Sequence, residues 1–404
     1  MRVAIVHDWF VTYAGSERVV EQLIALFPQA DVFSLFEFLR PSDRRMLAGK
    51  QVTTSFLQKF PLARRRYAAY LPLMPLAIEQ LNLSSYDLVI SSSHCVAKGV
   101  LTGPDQLHIS YVHTPMRYAW DGQHEYLGGS SFGRGLKSWF ARWMLHKLRL
   151  WDARTAAGVD SFVANSRFIA RRISKTYRRD ARVIYPPVAT DKFSPTNRRG
   201  DYFLTASRLV PYKRVDLLVD AFAHMPNEKL IVIGDGPELA RLRAKAGPNV
   251  TLLGYQEPAA FRDYIERARA FLFAAREDFG IVLVESQAAG TPVIAYGRGG
   301  ALETVRGLDA PQPTGVLFGE QTVDAVVEAV RTFEREQRRL QATACRANAM
   351  RFDTARFHDE FREHTLREWA GFCAQAAPAR PGDLVLNGRG EAPSAAESHP
   401  LRAA

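Results

Sequence analysis

Two carboxylates, Glu277 and Glu285, stand with seven residues between them in an otherwise apolar part of the sequence. The apolar run 268–275 predicts a strand just before Glu277, and apolar residues at helical spacing predict a helix that carries Glu285 and ends near Gly290. Ligands of open α/β sheets bind outside the carboxyl ends of the strands. A carboxylate there would repel a phosphate, but it accepts hydrogen bonds from hydroxyl groups. The spacing therefore predicts a site for a hydroxyl-rich ligand such as a sugar or a ribose.

Two cations, Arg208 and Lys213, follow another predicted strand, 202–206. A forked guanidinium and a compact ammonium at a strand end can hold a pyrophosphate and stabilise it as a leaving group. The alternative interpretation, two solvated cations at a surface turn, is the weaker one because of their place after a strand.

Glycine turns follow two further predicted strands. Gly15 and Ser16 come after the first strand, and Gly234 and Gly236 come after the strand 230–233. The lone Gly15 is not a G-x-G-x-x-G fingerprint, which argues against an NAD enzyme. Glycine at such turns lets the backbone approach a phosphate closely, and we expect this at both turns. For Ser16, a plain turn and helix cap is an equally good interpretation.

One histidine, His113, stands at the carboxyl end of the predicted strand 108–113, two residues before Pro115. A lone histidine is usually structural, but this position is better suited to a ligand site than most. His94 is a weaker candidate, and we expect a structural role for it.

The composition is that of an ordinary two-domain globular protein, with 404 residues, 47% hydrophobic and 24% charged. The net charge of +11 could serve a nucleic acid, an anionic lipid surface or another polyanion. Three distant cysteines indicate no disulfide framework, which fits a reducing cytosol. No apolar run approaches the ~20 residues that cross a bilayer. The sequence also lacks D-x-D and His/Cys metal spacing. We therefore expect a cytoplasmic protein, soluble or attached to a membrane surface, with no metal and no cofactor.

Predicted strands alternate with helices along the chain, the βαβ pattern of parallel sheets. The stretch 186–200, with three prolines, predicts a linker. The sequence therefore predicts an α/β fold of two Rossmann-like, doubly wound domains, residues 1–190 and 200–351, facing across a cleft. A helix at 352–373 is expected to return to the first domain. The tail 374–404 is expected to be disordered.

Two segments of the first half combine cations with aromatic residues. The segment 59–78 contains Arg64–Arg66 among tyrosines and leucines, and contact with an anionic membrane and a plain core role are equally good interpretations. The segment 135–151 predicts a helix with its apolar side chains on one side and Arg142 and Arg149 opposite. We expect that apolar side to belong to the core. Its residues are Leu136, Trp139, Phe140, Trp143, Leu150 and Trp151.

Taken together, the site stretches resemble the retaining, nucleotide-sugar-dependent glycosyltransferases of group 1, which have the GT-B fold. The family hallmark is E-x7-E with F-G-[IL]-x after the first Glu and G-T-P-V after the second. Here 277–285 reads EDFGIVLVE and 290–293 reads GTPV. Residues 208–216 read RLVPYKRVD, similar to R-L-x-x-x-K-G-x-D except that Arg214 stands where glycine is usual. Residues 234–238 read GDGPE, similar to the family's G-x-G-P-E turn.

The resemblance implies a role for each site residue. Arg208 and Lys213 would neutralise the donor diphosphate. Glu285 would bind the ribose hydroxyls, Glu277 a hydroxyl of the transferred sugar, and His113 would lie at the reacting sugar. The implied catalytic residues are His113, Glu277, Arg208 and Lys213. The implied donor-binding residues are Gly15, Ser16, Gly234, Gly236, Phe279, Gly280, Ile281, Val282 and Glu285.

The run 113–121, HTPMRYAWD, is similar to the H-T-P-x-R-Y-x-W-D of group 1 mannosyltransferases of bacterial surface polysaccharide synthesis. The resemblance implies transfer of α-mannose from GDP-mannose to a lipid-linked oligosaccharide, in O-antigen or exopolysaccharide synthesis on the inner face of the cytoplasmic membrane. The alternatives are a UDP-sugar-dependent enzyme of the same fold and a nucleotide-sugar epimerase or hydrolase. The charge alone would also suit a nucleic-acid-binding protein, although no nucleic-acid partner is expected.

Overall fold

Two parallel β-sheets flanked by helices form the chain in this computed structural model. The structure describes residues 1–123, 127, 135–196 and 199–376. The predicted class, α/β with two Rossmann-like, doubly wound domains, is confirmed. Of the predicted tail, residues 377–404 lie outside the described part of the chain.

The first sheet has seven described strands in the order β3-β2-β1-β4-β5-β6-β7. Its strands are β1 (Val3–His7), β2 (Asp31–Ser34), β3 (Val52–Thr54), β4 (Leu88–Ser93), β5 (Leu107–Val112), β6 (Ser161–Ala164) and β7 (Arg182–Val183). The helices of this half are α1 (Gly15–Leu26), α2 (Ala63–Arg66), α3 (Met74–Glu79), α4 (Gly135–Thr155) and α5 (Arg167–Tyr177). The short strand β3 was not predicted from the sequence.

The second sheet has six described strands in the order β10-β9-β8-β11-β12-β13. Its strands are β8 (Tyr202–Ala206), β9 (Lys229–Ile233), β10 (Val250–Gly254), β11 (Phe271–Phe273), β12 (Val293–Tyr296) and β13 (Gly315–Phe318). Its helices are α6 (Val215–Ala223), α7 (Leu239–Lys245), α8 (Pro258–Arg267), α9 (Ile281–Ala288), α10 (Ala301–Thr304), α11 (Val323–Glu336) and α12 (Ala342–Ala349). A last helix, α13, spans Thr354–Ala376.

Each sheet has a point at which the strand order reverses. β1 and β4 are neighbours in the first sheet, and β8 and β11 are neighbours in the second. Connections on the two sides of such a point leave the sheet toward opposite faces, which opens a crevice beyond the carboxyl ends of the strands. The loops after β8 and β11 carry Arg208 and Glu277, so the topology brings these two distant parts of the chain to one crevice.

Helix α13 returns the chain to the first sheet. Its side chains Phe357 and Phe361 pack with Ile5 and Tyr111 in the core beneath that sheet. The sequence expectation for this helix was 352–373. It begins two residues later and continues to Ala376, so 374–376 are helical and do not belong to a tail.

The expectation that the apolar side of α4 belongs to the core is wrong. Four large apolar side chains of this helix are exposed, namely Trp139, Phe140, Trp143 and Leu150. Arg149, expected on the solvent side, instead donates to the carbonyl oxygen of Ala119 at 2.8 Å. Leu148 is buried and Trp151 packs against the core of the first domain. The helix therefore carries apolar side chains on two faces, while the side chain of Leu136 lies outside the described part.

The segment 59–78 contributes to both core and surface. Met74, Ala77 and Ile78 are buried, whereas the guanidinium-bearing residues 64–66 are exposed. None of the described helices is both long enough and apolar enough to span a bilayer.

Candidate active site

Side chains of the two domains meet across the crevice between the sheets. Arg18 of α1 forms an ion pair with Glu285 of α9. The backbone of Gly15 is also close to the second domain, because a Cβ on Gly15 would lie 3.2 Å from the side-chain atom Cδ1 of Ile281. The crevice is therefore lined by residues from both halves of the sequence.

Glu277 stands in the loop between β11 and α9, where its backbone forms a parallel bridge with Gly299. Gly299 has a φ of 68°, and a Cβ on it would lie 2.2 Å from the Glu277 carbonyl oxygen, so glycine is required here. The Glu277 carboxylate pairs with the Lys213 ammonium, and both side chains are mostly buried. Burial disfavours the charged lysine, but attraction by Glu277 and Tyr212 outweighs it and raises the pKa of Lys213. Lys213 is therefore a cation at neutral pH.

Arg208 is exposed at the end of β8 and makes no ion pair with the described residues. The glycine turn after β9 positions its loop. Gly234 and Gly236 have φ values of 136° and 155°, and added Cβ atoms would lie 1.9 Å from the carbonyl oxygen of Ser207 and 2.3 Å from that of Leu209. Both glycines are therefore needed for the turn to pack against the Arg208 loop. A contact of these glycines with a nucleotide stays a prediction.

Arg214 occupies the position at which glycine is usual in the family that the sequence resembles. It adopts the left-handed conformation, with φ 54° and ψ 35°, and it precedes α6. Glycine takes this conformation without steric cost, which explains the usual residue. The Arg214 guanidinium lies 3.5 Å from the Asp216 carboxylate.

Glu285 faces the first domain. Its Oε1 lies 2.5 Å from Nη1 of Arg18, and the carboxylate raises the pKa of that guanidinium despite its burial. Both residues border a cavity of about 560 Å³ between the domains, which Tyr13 and Tyr255 also line. Ligand pockets of proteins span about 300–1,000 Å³, so this cavity is large enough for a nucleotide.

Of the residues between the two glutamates, one lies in the core and others form the start of helix α9. Phe279 is buried, with ring centroids 5.7 Å from Tyr185 and 5.5 Å from Phe352, so only its backbone could contact a donor. Gly280, with φ 89°, is the N-cap of α9. The half-buried Ile281 and Val282 form the first turn of that helix, whose leading N–H groups lack intrahelical acceptors.

The Ser16 hydroxyl is engaged within the first turn of α1. It donates to Oε2 of the buried Glu17 at 3.0 Å, and the same oxygen accepts from the N–H of Ala14 at 3.0 Å. The N-cap is Ala14, so the alternative role of Ser16 as the cap is not what the structure has. Donor contacts by Gly15 and Ser16 stay predictions.

The half-buried His113 follows the end of β5 and belongs to a row of polar groups whose other members are buried. Its Nε2 lies 2.8 Å from Oγ of Ser92, which lies 3.1 Å from Nδ1 of His7, whose Nε2 lies 3.5 Å from Oε1 of Glu17. Burial lowers the pKa of His113 well below its usual value. The imidazole is therefore neutral at neutral pH. The His94 ring lies 6.3 Å from that of His113, so the histidine expected to be structural borders the same site.

A second cavity, of about 300 Å³, lies between the domains beside Asp278. Asp278 pairs with Arg117 at 2.5 Å and with Arg172 at 3.4 Å, both from the first domain. Burial raises the pKa of Asp278, although the two guanidiniums oppose that shift. Arg214 and Arg276 also line the cavity. Its basic lining suits an anionic or hydroxyl-rich ligand.

The sequence interpretation missed the partners that the first domain supplies. His7, Glu17 and Arg18 were not among the site residues expected from the sequence. The position of His7 at the carboxyl end of β1 was a usable signal. The sequence contains no signal for the pairing of Arg18 with Glu285, because this pairing depends on how the two domains face each other. Among the described residues, no group of three or more His, Cys, Asp or Glu side chains is arranged to hold a metal ion.

The structure pairs charges of opposite sign at two places near the crevice. Lys213 and Glu277 neutralise each other, as do Arg18 and Glu285. A ligand that brings both a diphosphate and hydroxyl groups could take each member as a new partner, the cations binding phosphate oxygens and the carboxylates accepting from hydroxyls.

Two family matches cover most of the chain. Residues 13–192 match the family described as Glycosyltransferase Family 4, and residues 189–351 match Glycosyl transferases group 1.

Similar curated proteins include mycobacterial transferases. The GDP-mannose-dependent alpha-(1-6)-phosphatidylinositol monomannoside mannosyltransferase of Mycolicibacterium smegmatis is 32% identical over 221 residues, 46% of this chain and 55% of that protein. The D-inositol 3-phosphate glycosyltransferase of Mycobacterium leprae (strain TN) is 30% identical over 223 residues, 48% of this chain and 51% of that protein. The chain thus spans about half the length of the curated relatives it matches.

Solved structures with a similar fold cover whole chains. HepE of Anabaena, in complex with UDP-glucose, has a TM-score of 0.67 at 17% identity, covering 91% of this chain and 100% of that one. Sucrose-phosphate synthase of Thermosynechococcus elongatus has a TM-score of 0.69 at 17% identity, covering 92% and 100%. At this identity the likeness shows the fold, which is GT-B. With adjoining family matches that extend from residue 13 to residue 351, the chain belongs to the group 1 glycosyltransferases.

Proposed function

We propose that this protein transfers a hexose, α-mannose from GDP-mannose, to an acceptor hydroxyl with retention of configuration. The observation that carries the proposal is the group of charges at the switch point of the second sheet. There, the exposed Arg208 and the Lys213–Glu277 pair lie close to the ends of neighbouring strands, with Glu285 on the helix that follows. This is the combination of cations and hydroxyl acceptors that a nucleotide sugar needs.

Each charge has a defined task in this proposal. Arg208 and Lys213 bind the diphosphate and stabilise the negative charge that grows on it as the sugar leaves. Glu285 accepts hydrogen bonds from the ribose, and Glu277 accepts one from the transferred sugar. His113, neutral at neutral pH, hydrogen-bonds the sugar or the acceptor at the reacting centre. We assign no nucleophile. Because two cations are available for the diphosphate, we expect EDTA to leave the rate unchanged.

The donor is proposed to be GDP-mannose. Support comes from the sequence run 113–121 and from the names of relatives that use GDP-mannose. A UDP-sugar is the alternative, since HepE of Anabaena was solved with UDP-glucose, although that likeness concerns only the fold.

The acceptor is proposed to be a lipid-linked oligosaccharide of surface polysaccharide synthesis, reached at the inner face of the cytoplasmic membrane. The support is the resemblance of 113–121 to transferases of that pathway and the exposed cations of 64–66. The phosphatidylinositol monomannoside in the name of the Mycolicibacterium smegmatis relative is also a lipid-bound acceptor.

A donor screen tests the function directly. The melting temperature of the purified protein is measured with GDP-mannose, GDP, UDP-glucose or UDP. In a separate assay, the protein is incubated with each nucleotide sugar and a bacterial membrane extract. We expect GDP-mannose to raise Tm most and to place mannose in the lipid fraction. Protection by UDP-glucose alone would exclude the GDP-mannose donor.

The same assay without acceptor separates the rival functions. Free mannose, or an altered nucleotide sugar, would identify a hydrolase or an epimerase. A nucleic-acid-binding protein would show no turnover, and its affinity for nucleic acid would fall steeply with salt.

A further inference from the structure

Helix α4 exposes a stripe of large apolar side chains. Trp139, Phe140, Trp143 and Leu150 are 67%, 53%, 44% and 54% exposed. At about 100° per residue, Trp139, Trp143 and Leu150 fall within an arc of roughly 40°, and Phe140 lies beside them. Single exposed apolar residues need no explanation, but a continuous stripe along two to three turns marks an interaction surface.

The opposite face fixes this helix on the domain. Asp152 is buried and pairs with the buried Lys98 at 2.9 Å. Trp151 Nε1 donates to Glu79 Oε1 at 2.6 Å, and Leu148 is buried. Because the helix is anchored in this way, the exposed stripe is its outer face and not a core face that has come loose.

The charges around the stripe are of one sign. Helix α4 contains five Lys or Arg residues and a single acid, Asp152, which is buried. Lys137, Arg142, Lys147 and Arg154 are exposed, and the Lys147 ammonium lies 5.8 Å from the ring centroid of Trp143. At the same spacing, Arg142, Lys147 and Arg154 lie on or beside the apolar face, and α4 itself has no exposed carboxylate.

A second exposed segment adjoins α4 through a shared core. Leu62, Leu73 and Leu76 are exposed next to the three arginines 64–66. Tyr67, Tyr70 and Leu71 of that segment pack against the same hydrophobic cluster as Leu145 and Trp151 of α4. The first domain therefore has a second exposed segment that combines apolar and basic side chains.

We propose that the outer face of α4 is a docking surface for a bilayer of anionic lipid, with Trp139, Phe140, Trp143 and Leu150 inserted at the headgroup level. Helices with Trp, Phe and Leu on one face and flanking Lys and Arg bind at that depth, and each cation near an anionic surface adds about 1 kcal/mol, or roughly fivefold in affinity. A second copy of the chain fits less well, because a two-fold interface would place the same cations opposite each other.

Helix α4 also reaches the cleft. Arg149 Nη1 donates to the carbonyl oxygen of Ala119 and to Oε1 of Gln123, in the segment that carries Arg117 and Asp121 of the 300 Å³ cavity. A bilayer on α4 would thus lie beside the rim of the cleft. That a lipid-bound acceptor enters from there rests on the proposed function, whereas docking itself does not.

Vesicle binding by the full chain tests the docking surface. Wild-type protein is sedimented with vesicles of phosphatidylcholine alone, or with 30% phosphatidylglycerol. We expect binding to the anionic vesicles, weakened by W139A/F140A/W143A because the inserted side chains are removed, and weakened about 25-fold by R142Q/K147Q. Leu366→Ala serves as the control, since Leu366 is 62% exposed on α13, and it should bind like wild type. Aromatic variants that bind like wild type, or wild type that does not bind, would overturn the proposal.

Two further readouts separate the other outcomes. On binding, tryptophan fluorescence should shift to shorter wavelength in wild type and not in W139F/W143F. If light scattering shows a wild-type dimer that W139A/F140A/W143A converts to a monomer, the stripe is a self-interface and the membrane proposal is wrong.

The rise in Tm with GDP-mannose should be equal in wild type and the aromatic variant. Vesicle binding without any such rise would overturn the proposed donor and leave the docking surface standing.

Discussion

Arg18 on α1 and Glu285 on α9 form an ion pair of 2.5 Å that joins the two domains. Two other carboxylates of the second domain reach across in the same way. Asp278 pairs with Arg117, and Glu303 accepts from the first two N–H groups of α5, both at 2.8 Å. The contact between the domains is thus made in part by polar groups, as in transient interfaces between proteins. A donor that enters the cleft can compete for these groups.

Glu285 and Glu277 should bind different parts of the donor, the ribose and the transferred sugar. Glu285→Ala should weaken GDP binding by about ten- to 150-fold, since a charge-assisted hydrogen bond contributes about 1.5–3 kcal/mol and GDP contains the ribose. Glu277→Ala should leave GDP affinity nearly intact and lower kcat, because its partner hydroxyl is on the transferred sugar. Calorimetry with GDP and steady-state rates with GDP-mannose measure both quantities. Equal losses of GDP affinity in the two variants would contradict the division.

The cations should affect both binding and turnover. Arg208→Ala and Lys213→Ala should each lower GDP affinity and lower kcat, because charge on the leaving diphosphate increases in the transition state. The Lys213 variant also leaves Glu277 without its ion-pair partner, so its effect should be the larger. Arg335→Ala, on the exposed side of α11, is the matched control and should change neither quantity. A variant that raises KM without changing kcat would show that its cation binds the ground state and the transition state equally.

The ion pair between Arg18 and Glu285 gives a separate prediction. Arg18→Ala should lower kcat more than it lowers GDP affinity, because it removes a contact that favours the closed cleft while leaving the groups on the second domain in place. Arg18→Lys should restore part of kcat, since it keeps the charge but not the fork. Small-angle scattering with and without GDP-mannose would check the cause. If the variant closes as fully as wild type, Arg18 acts on the donor directly.

Much of the second domain could be predicted from its sequence, for physical reasons that are local. Parallel strands buried on both faces read as apolar runs, so the run 202–206 is found directly as β8. Positive φ values require glycine at Gly234, Gly236 and Gly299, which makes the turns visible. The family resemblance depends on these local features, and membership is confirmed.

What could not be predicted depends on relations between distant segments. The prediction for α4 was wrong because the helix has apolar residues on two faces, and the sequence does not show which face is buried. Only the contacts of Trp151 and Leu148 show which face packs against the domain. Arg18 was overlooked for a similar reason, since its partner is 267 positions away. The roles of the site residues remain predictions.

Gly234 should be required for donor binding because its turn packs against the loop that carries Arg208. A Cβ there would lie 1.9 Å from the carbonyl oxygen of Ser207, so Gly234→Ala must displace the loop that carries Arg208. We expect a lower Tm together with weaker GDP binding. Gly319→Ala is the control, because an added Cβ at Gly319 meets no described atom within 4 Å. Weak GDP binding at an unchanged Tm would instead favour direct contact between Gly234 and the nucleotide.

Stability should fall in mild acid because of a buried histidine. His108 is fully buried, with Nε2 2.8 Å from the Ser91 hydroxyl, and burial lowers its pKa from 6.5 to about 4. Above pH 6.5 the ring is neutral in both the folded and the unfolded chain, so it adds no pH dependence. Below that, the unfolded chain takes up a proton that the folded chain refuses until about pH 4. Between pH 7 and pH 5 this one group should lower the free energy of unfolding by about 2 kcal/mol.

Urea denaturation at the two pH values measures this difference in wild type and in His108→Gln. The variant is expected to be less stable at both values, because Ser91 and the carbonyl oxygen of Gly158 lose their partner, but the difference between the two should shrink by about 2 kcal/mol. His146→Gln, at an exposed position of α4, should keep the wild-type difference. His94 and His113 also have pKa values lowered by burial, so a remaining pH dependence in His108→Gln is expected. An unchanged difference in His108→Gln would mean that the folded chain admits the proton at His108, and that the strand it belongs to opens to water in mild acid.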